Sequence, residues 1–163
     1  MDDSLFLSMN IYLQRFLNKF DKPGKALDLG AGDFFDVACL KQLGWICDGV
    51  DLNTGVDLNK LYIGNKQYDL VFSNYVIQRL DSKDVLVSSA YRNLKEGGWF
   101  FLHTFDKSDK SAKGFDKDCI VNLLKDGGLI DVKAKIFSFY DNEHQHWHKV
   151  IEVIGRKPSK LPS

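Results

Sequence analysis

Ala26-Leu27-Asp28-Leu29-Gly30-Ala31-Gly32 decides how this chain folds. A short apolar run ending in glycines reads as a buried strand passing into a tight turn, and the pattern from about Asp33 onward reads as a helix. The next apolar run, Trp45 to Val50, closes on Asp51, 19 positions beyond Gly32. Strand, glycine turn, helix and a second strand ending on an acid form the layout of a nucleoside-binding βαβ unit. Glycines let a ligand approach the backbone closely, and an acid at the second strand end can accept both ribose hydroxyls.

The residues around the turn select among nucleosides. A dinucleotide site wants Gly-x-Gly-x-x-Gly with a pyrophosphate on the helix N-terminus. Here Phe35 stands at the third glycine position, and Asp33 stands where phosphate charge would go. Asp28 and Asp33 flank the turn, repel a pyrophosphate and suit a cation. S-adenosylmethionine carries a sulfonium and an ammonium, so the charges favour it. Another doubly wound nucleotide binder is the competing reading.

Four ordered blocks carry a family resemblance. Asp28-Leu29-Gly30-Ala31-Gly32 resembles motif I of the class I S-adenosylmethionine-dependent methyltransferases, including their small type 11/12-like domains. Gly49-Val50-Asp51-Leu52 resembles their ribose-binding strand end, Tyr68 to Asn74 their fourth strand, and Leu94 to Phe101 the turn and fifth strand after it. The resemblance covers about residues 23–157. It implies an α/β, Rossmann-like, doubly wound and mostly parallel sheet with a C-terminal antiparallel β-hairpin.

Spacing predicts the elements. Leu5, Met9, Tyr12, Leu13, Phe16, Leu17 and Phe20 recur at helical intervals over residues 4–20, and Pro23-Gly24 ends that helix. A helix spans Phe35 to Gly44. Only five residues separate Asp51 from Asp57, too few for a crossover helix between parallel strands. The helix between strands two and three is therefore shortened or missing, and Val56–Leu58 is expected as a stub of strand three. Strand four covers 69–73. A helix from Ser82 to Leu94 has Ser82 as its cap, and Gly97-Gly98 turns into strand five, 99–104. Another helix covers Phe115 to Lys125. Residues 129–140 and 146–156, joined by Asp141-Asn142-Glu143, read as a hairpin.

Composition sets bounds. With 163 residues the chain is read as one domain: an N-terminal helix over 1–22, a core over 23–157 and a tail over 158–163. Lys plus Arg equals Asp plus Glu at 22 each, so the basic excess of nucleic-acid binders is missing. The three cysteines, Cys39, Cys47 and Cys119, are odd in number and widely spaced, which fits reduced thiols in a cytoplasmic protein. No apolar run approaches the ~20 residues of a membrane span.

Open α/β sheets bind ligands beyond the carboxyl ends of their parallel strands. That rule assigns Gly30, Ala31 and Gly32 to the amino-acid part of the cofactor and Asp28 to its ammonium. Asp51 takes the ribose, Leu52 packs on the adenine, Asp57 and Leu58 contact the adenine edge, and Asn74 meets the methionine end. Tyr12, Arg79, Tyr140 and His144 are candidates for the acceptor. All four histidines map to this edge, and His103, His146 and His148 are the candidates for proton transfer. A His-x-His pair also suits a metal. Beyond nearby Glu143 no carboxylate or cysteine completes a ligand set, and no metal is assigned. Gln78-Arg79 replaces the Glu-His pair found at this point in many small-molecule relatives. The resemblance implies methyl transfer to a small molecule. A non-catalytic binding subunit, a protein or RNA methyltransferase, and a metal-dependent enzyme are the alternatives.

Overall fold

The structure, a computed structural model, describes residues 9–160. Its centre is a six-stranded sheet in the order β2-β1-β3-β4-β6-β5. These strands are β1 (Lys25–Leu29), β2 (Ile46–Val50), β3 (Tyr68–Asn74), β4 (Leu94–Phe105), β5 (Ile130–Asp141) and β6 (His146–Arg156). β2, β1, β3 and β4 run parallel, with Leu27 opposite both Asp48 and Val71. β6 pairs antiparallel with β4, and β5 antiparallel with β6. The expected mostly parallel sheet with a terminal hairpin is what forms.

Helices cover both faces, which is why the parallel strands are apolar on both sides. α1 (Ile11–Phe16) and α2 (Phe35–Gln42) pack on one face. Leu13, Val37 and Leu40 meet Ala26, Leu70, Phe72 and Phe101 there. α3 (Lys83–Asn93) and α4 (Lys117–Asp126) cover the other, where Leu86, Ala90, Ile120 and Leu124 join Leu27, Val71, Phe100 and Leu102 in a second cluster. The alternation along β4 sends Phe100 and Leu102 one way, Phe101 and His103 the other. Each fully buried leucine contributes roughly 1.5–3 kcal/mol of transfer free energy.

Several boundaries differ from expectation for identifiable reasons. Val56–Leu58 is not a strand: Asp51 caps a single 3-10 turn, Leu52–Thr54, and the chain then runs irregularly to β3. Leu58 is nonetheless 5 % exposed and fills the core. β2 is left as the edge. Ser82 precedes α3 but its side chain makes no capping bond. Instead the Asn59 side-chain oxygen accepts from the amides of Asp81 and Ser82. α4 starts after Asp116, whose side chain accepts from the Asp118 amide. α1 begins at Ile11, held by the Asn10 side chain, which accepts from the amides of Tyr12 and Leu13. Residues 4–8 of the expected N-terminal helix, with Leu5, lie outside the described residues. Cys39 and Cys47 are buried and Cys119 is exposed. Among the described residues, no helix is long and apolar enough to cross a membrane.

Candidate active site

At the carboxyl end of β1 the chain reverses tightly, and the amides of Gly30 and Ala31 both donate to the Val50 carbonyl. Gly30 has φ +90°, and a Cβ there would lie 2.3 Å from Val76 Cγ2. Only glycine allows this backbone to pass so close to the β3 side of the cleft. Gly49 solves a similar problem beneath the turn, where a Cβ would sit 2.8 Å from both Ala31 and Phe34. Asp51 is oriented from two sides: one carboxylate oxygen accepts from the Gly32 amide at 3.4 Å, the other from the Asn53 amide at 3.2 Å.

These residues open onto a cavity of about 520 Å³ lined by Gly30, Gly32, Asp51, Leu52, Asp57, Leu58 and Asn74, with Tyr75, Val76, Arg79 and Leu80. The sequence assigned the first seven of these to the cofactor. Leu52, 74 % exposed, offers an apolar surface at the rim. Asp28 and Ala31 do not line this cavity but lie buried behind the turn. Burial first, then Asp36, Asp51 and Asp33, pushes the Asp28 carboxyl well above the usual carboxylate range. A set of carboxylates short of counter-charge beside a glycine turn fits a ligand that brings a cation, and it disfavours a pyrophosphate.

A second cavity of about 480 Å³ adjoins the first and shares Asn74 and Tyr75 with it. Its other walls include Asn10, Tyr12, Asp36, Phe139 and Asn142. One hydrogen-bonded chain runs along it. Asn74 donates to Asp36 at 3.2 Å, Asn10 donates to the Asn74 carbonyl at 3.3 Å and faces His103 Nδ1 at 3.1 Å, and His103 Nε2 meets Glu152 at 2.9 Å. With Asn10 donating to Nδ1, the His103 proton belongs on Nε2 and points at Glu152. Burial holds the His103 pKa below its ordinary value, against the pull of Glu152. Burial also raises Asp36, partly offset by the Asn10 amide and the Asn74 side chain.

Tyr75 sits where the two cavities meet, in the left-handed region at φ +60°. Non-glycine residues held there are strained and concentrate at functional sites. Gln78 fixes this turn: its amide donates to the Tyr75 carbonyl at 2.8 Å, and its carbonyl accepts from Thr104 at 3.0 Å. Gln78 is therefore a brace for Tyr75.

The other predicted residues separate. Tyr12 lines the second cavity, stacked on Phe137 with centroids 4.2 Å apart. Arg79, a candidate for the acceptor, lines the first cavity and not the second. Tyr140 turns to the opposite face, against Trp147, and Phe139 supplies the cavity wall in its place. His103 is wholly buried, with both ring nitrogens engaged, and lines neither cavity. His144, His146 and His148 do gather, with neighbouring ring centroids 5.9 and 4.5 Å apart, but they line neither the first nor the second cavity. His144 lies in the turn before β6, where its bond to Asp141 raises its pKa. The β-hairpin register makes Asp141 and His146 cross-strand partners, so a carboxylate is present beside the His-x-His pair after all. Asn10, Asp36 and Phe139 had no sequence signal of their own. Each is placed by a contact between distant segments.

A family model described as a methyltransferase domain matches residues 5–149. The chain belongs to this methyltransferase family. Among curated proteins no sequence matches. Solved structures share the fold at low identity. A phosphoethanolamine N-methyltransferase 2 of Haemonchus contortus, in complex with S-adenosyl-L-methionine, superposes with a TM-score of 0.74 at 16 % identity, over 91 % of this chain and 52 % of that one. The chain thus spans about half the length of that enzyme. An S-adenosylmethionine-dependent methyltransferase of Methanosarcina mazei gives 0.75 at 13 % identity, over 90 % and 98 %. The 1,6-didemethyltoxoflavin-N1-methyltransferase of Burkholderia thailandensis, with bound 1,6-didemethyltoxoflavin and S-adenosylhomocysteine, gives 0.73 at 17 %, over 97 % and 80 %.

Proposed function

We propose that this methyltransferase domain moves a methyl group from S-adenosylmethionine to a small-molecule acceptor held in the second cavity. The single observation that carries the reading is the pair of adjoining cavities meeting at Asn74 and Tyr75, one beside the glycine turn and Asp51, the other beside Asp36 and Tyr12. S-adenosylmethionine is the cofactor, and its sulfonium supplies an already activated methyl group. Asp51 accepts from the ribose, Leu52 and Leu58 cover the base, Asp57 meets its edge, and Gly30 and Gly32 leave room for the amino-acid part. Asp28 lowers the energy of a nearby ammonium from behind the turn.

Methyl transfer needs the acceptor atom aligned with the methyl carbon and little else from the protein. Asp36 and Asn74 offer acceptor atoms at the shared wall, and Tyr12, Tyr75 and Phe139 supply aromatic surface. Such a lining suits an acceptor bearing a hydrogen-bond donor, such as an amine or hydroxyl, over an anion. Asp36, raised by burial, is the group in this cavity able to take up a proton from it. His103 acts as a positioning residue through Asn10.

Calorimetric titration of S-adenosylmethionine into wild type and Asp51→Ala tests the donor site, with a 10- to 100-fold loss expected from a charged hydrogen-bond acceptor worth roughly 1.5–3 kcal/mol. Release of S-adenosylhomocysteine across a panel of amines, phenols and thiols tests turnover. Binding without turnover on any panel, including protein and RNA acceptors, would favour a regulatory binding module.

A further inference from the structure

We propose that Asp141, His146 and His148 form a binding site for a divalent transition-metal ion of the zinc class, at the turn end of the β5–β6 hairpin. The site lies outside the two cavities.

The hydrogen-bond partners of the two rings assign their protons. His148 Nδ1 faces Asp109 Oδ2 at 3.0 Å, and the Asp109 side chain is fully buried. Asp109 is fixed as an acceptor by the Ser111 amide and hydroxyl at 2.9 Å each, the Ala112 amide at 3.0 Å and the Lys149 amide at 2.8 Å. Ser111 Oγ also lies 3.2 Å from His148 Nδ1. An acceptor so fixed holds the imidazole proton on Nδ1 and leaves a lone pair on Nε2, the carboxylate–histidine arrangement found behind metal ligands. His146 Nδ1 in turn faces the His144 carbonyl oxygen at 3.2 Å, which places its proton there and its lone pair on Nε2. Asp141 Oδ2 is an acceptor that faces His144 Nδ1 at 2.8 Å.

Three lone-pair atoms therefore converge. His146 Nε2 and His148 Nε2 stand 3.0 Å apart, and His148 Nε2 lies 3.3 Å from Asp141 Oδ2. All three ligand atoms fall within 4.8 Å of one another. Bonds of 2.0–2.1 Å in a tetrahedron give ligand–ligand edges of roughly 3.3–3.4 Å, close to the two separations at His148 Nε2. Acceptors facing acceptors at hydrogen-bond distance repel, and a cation between them removes the repulsion. Two imidazoles and one carboxylate match the borderline ligand set of zinc and its neighbours, not that of calcium or magnesium. The three protein ligands leave a coordination position for water or a small ligand.

Such an ion would tie the hairpin to residues 108–111 through His148 and Asp109. Asn142 and Phe139, beside these ligands on the chain, line the second cavity, so the ion would steady one of its walls.

The test is calorimetric titration of Zn²⁺ into chelator-treated full-length protein, repeated with Co²⁺ to read the visible absorption of the bound ion. One equivalent should bind at micromolar or tighter Kd, with a tetrahedral cobalt spectrum. His146→Ala should weaken it at least 100-fold with circular dichroism unchanged, and Asp109→Asn by 10- to 100-fold through the displaced His148 proton. His146 is partly exposed, so its replacement leaves the fold intact even if His148→Ala does not. No stoichiometric binding by wild type, or binding unchanged in His146→Ala, would overturn the proposal; the second result would send the ion to another group such as Cys119.

Discussion

Asn10 and Asn74 join side chain to side chain at 3.3 Å across 64 positions of sequence. Asn74 belongs to both cavities and Asn10 to the second, so this bond ties the shared wall to the N-terminal side of the second cavity. Asn10 also caps α1, and its amide holds Asp36 at 3.2 Å. Asn10→Ala should therefore cost more than a cap alone, which is worth about 1 kcal/mol. A loss of roughly 2–3 kcal/mol in urea denaturation is expected, because the Asn74 carbonyl and His103 Nδ1 lose a partner as well. S-adenosylmethionine affinity should fall less than acceptor KM rises, since the first cavity keeps its own lining.

Asp28 sets stability against binding. Its carboxyl titrates higher in the folded chain than in the unfolded one, so between those two values the folded state holds more protons. Stability then falls as pH rises through that window, which opens near the ordinary aspartate value of about 4. Asp28→Asn should remove this slope and stabilise the ligand-free protein by about 1 kcal/mol at pH 7, in the usual range for such gains. The same change should weaken S-adenosylmethionine binding, because the ammonium loses its counter-charge. Urea denaturation from pH 4 to 8, paired with calorimetry, checks both. A variant that gains no stability and binds normally would remove Asp28 from the cofactor site.

Gly30 and Val76 form a steric pair with a calculable coupling. Gly30→Ala must bear both the positive φ and a 2.3 Å clash, and it should lose about 3 kcal/mol or more. Adding Val76→Ala removes the clash but not the backbone strain. The double variant should recover part of the stability, beyond additivity, and leave cofactor affinity impaired. Full additivity in a double-mutant cycle would mean the turn relaxes away from Val76.

The sheet was legible because its signals are local. Buried strands, glycine turns and strand-terminal acids occur as contiguous blocks, and the five-residue gap after Asp51 gave away the missing crossover. The first cavity lies where the topological rule puts a ligand, beyond the carboxyl ends of the parallel strands. The second cavity was not legible in this way, because its residues come from separate segments. Asp36 is one acid among many until Asn10 and Asn74 close on it. Tyr140 was expected and Phe139 found, since a hairpin's register decides which neighbour faces inward, and a shift of one residue exchanges the faces. His103 lies at the predicted strand end, but nothing in sequence announces that Glu152, its register partner on β6, will engage its ring.

That pairing gives the remaining prediction. A solvent-facing general base would impose its own pKa, near neutrality, on the rate. His103 is instead buried and neutral, donating to Glu152 and accepting from Asn10. Its folded pKa lies below that of the unfolded chain, so the unfolded state binds more protons on acidification. The stability this confers is complete above the unfolded value of about 6.5 and is lost as pH falls from there through the folded value. His103→Gln should flatten that acid limb, with its amide able to reach one of the two partners. His103→Ala should cost about 2–4 kcal/mol by stranding Glu152 and Asn10. Turnover in His103→Gln should show an altered KM for the acceptor and an unchanged pH profile of kcat. A profile that loses an ionisation near neutrality in this variant would restore His103 as the base and require the cavity to open onto its ring.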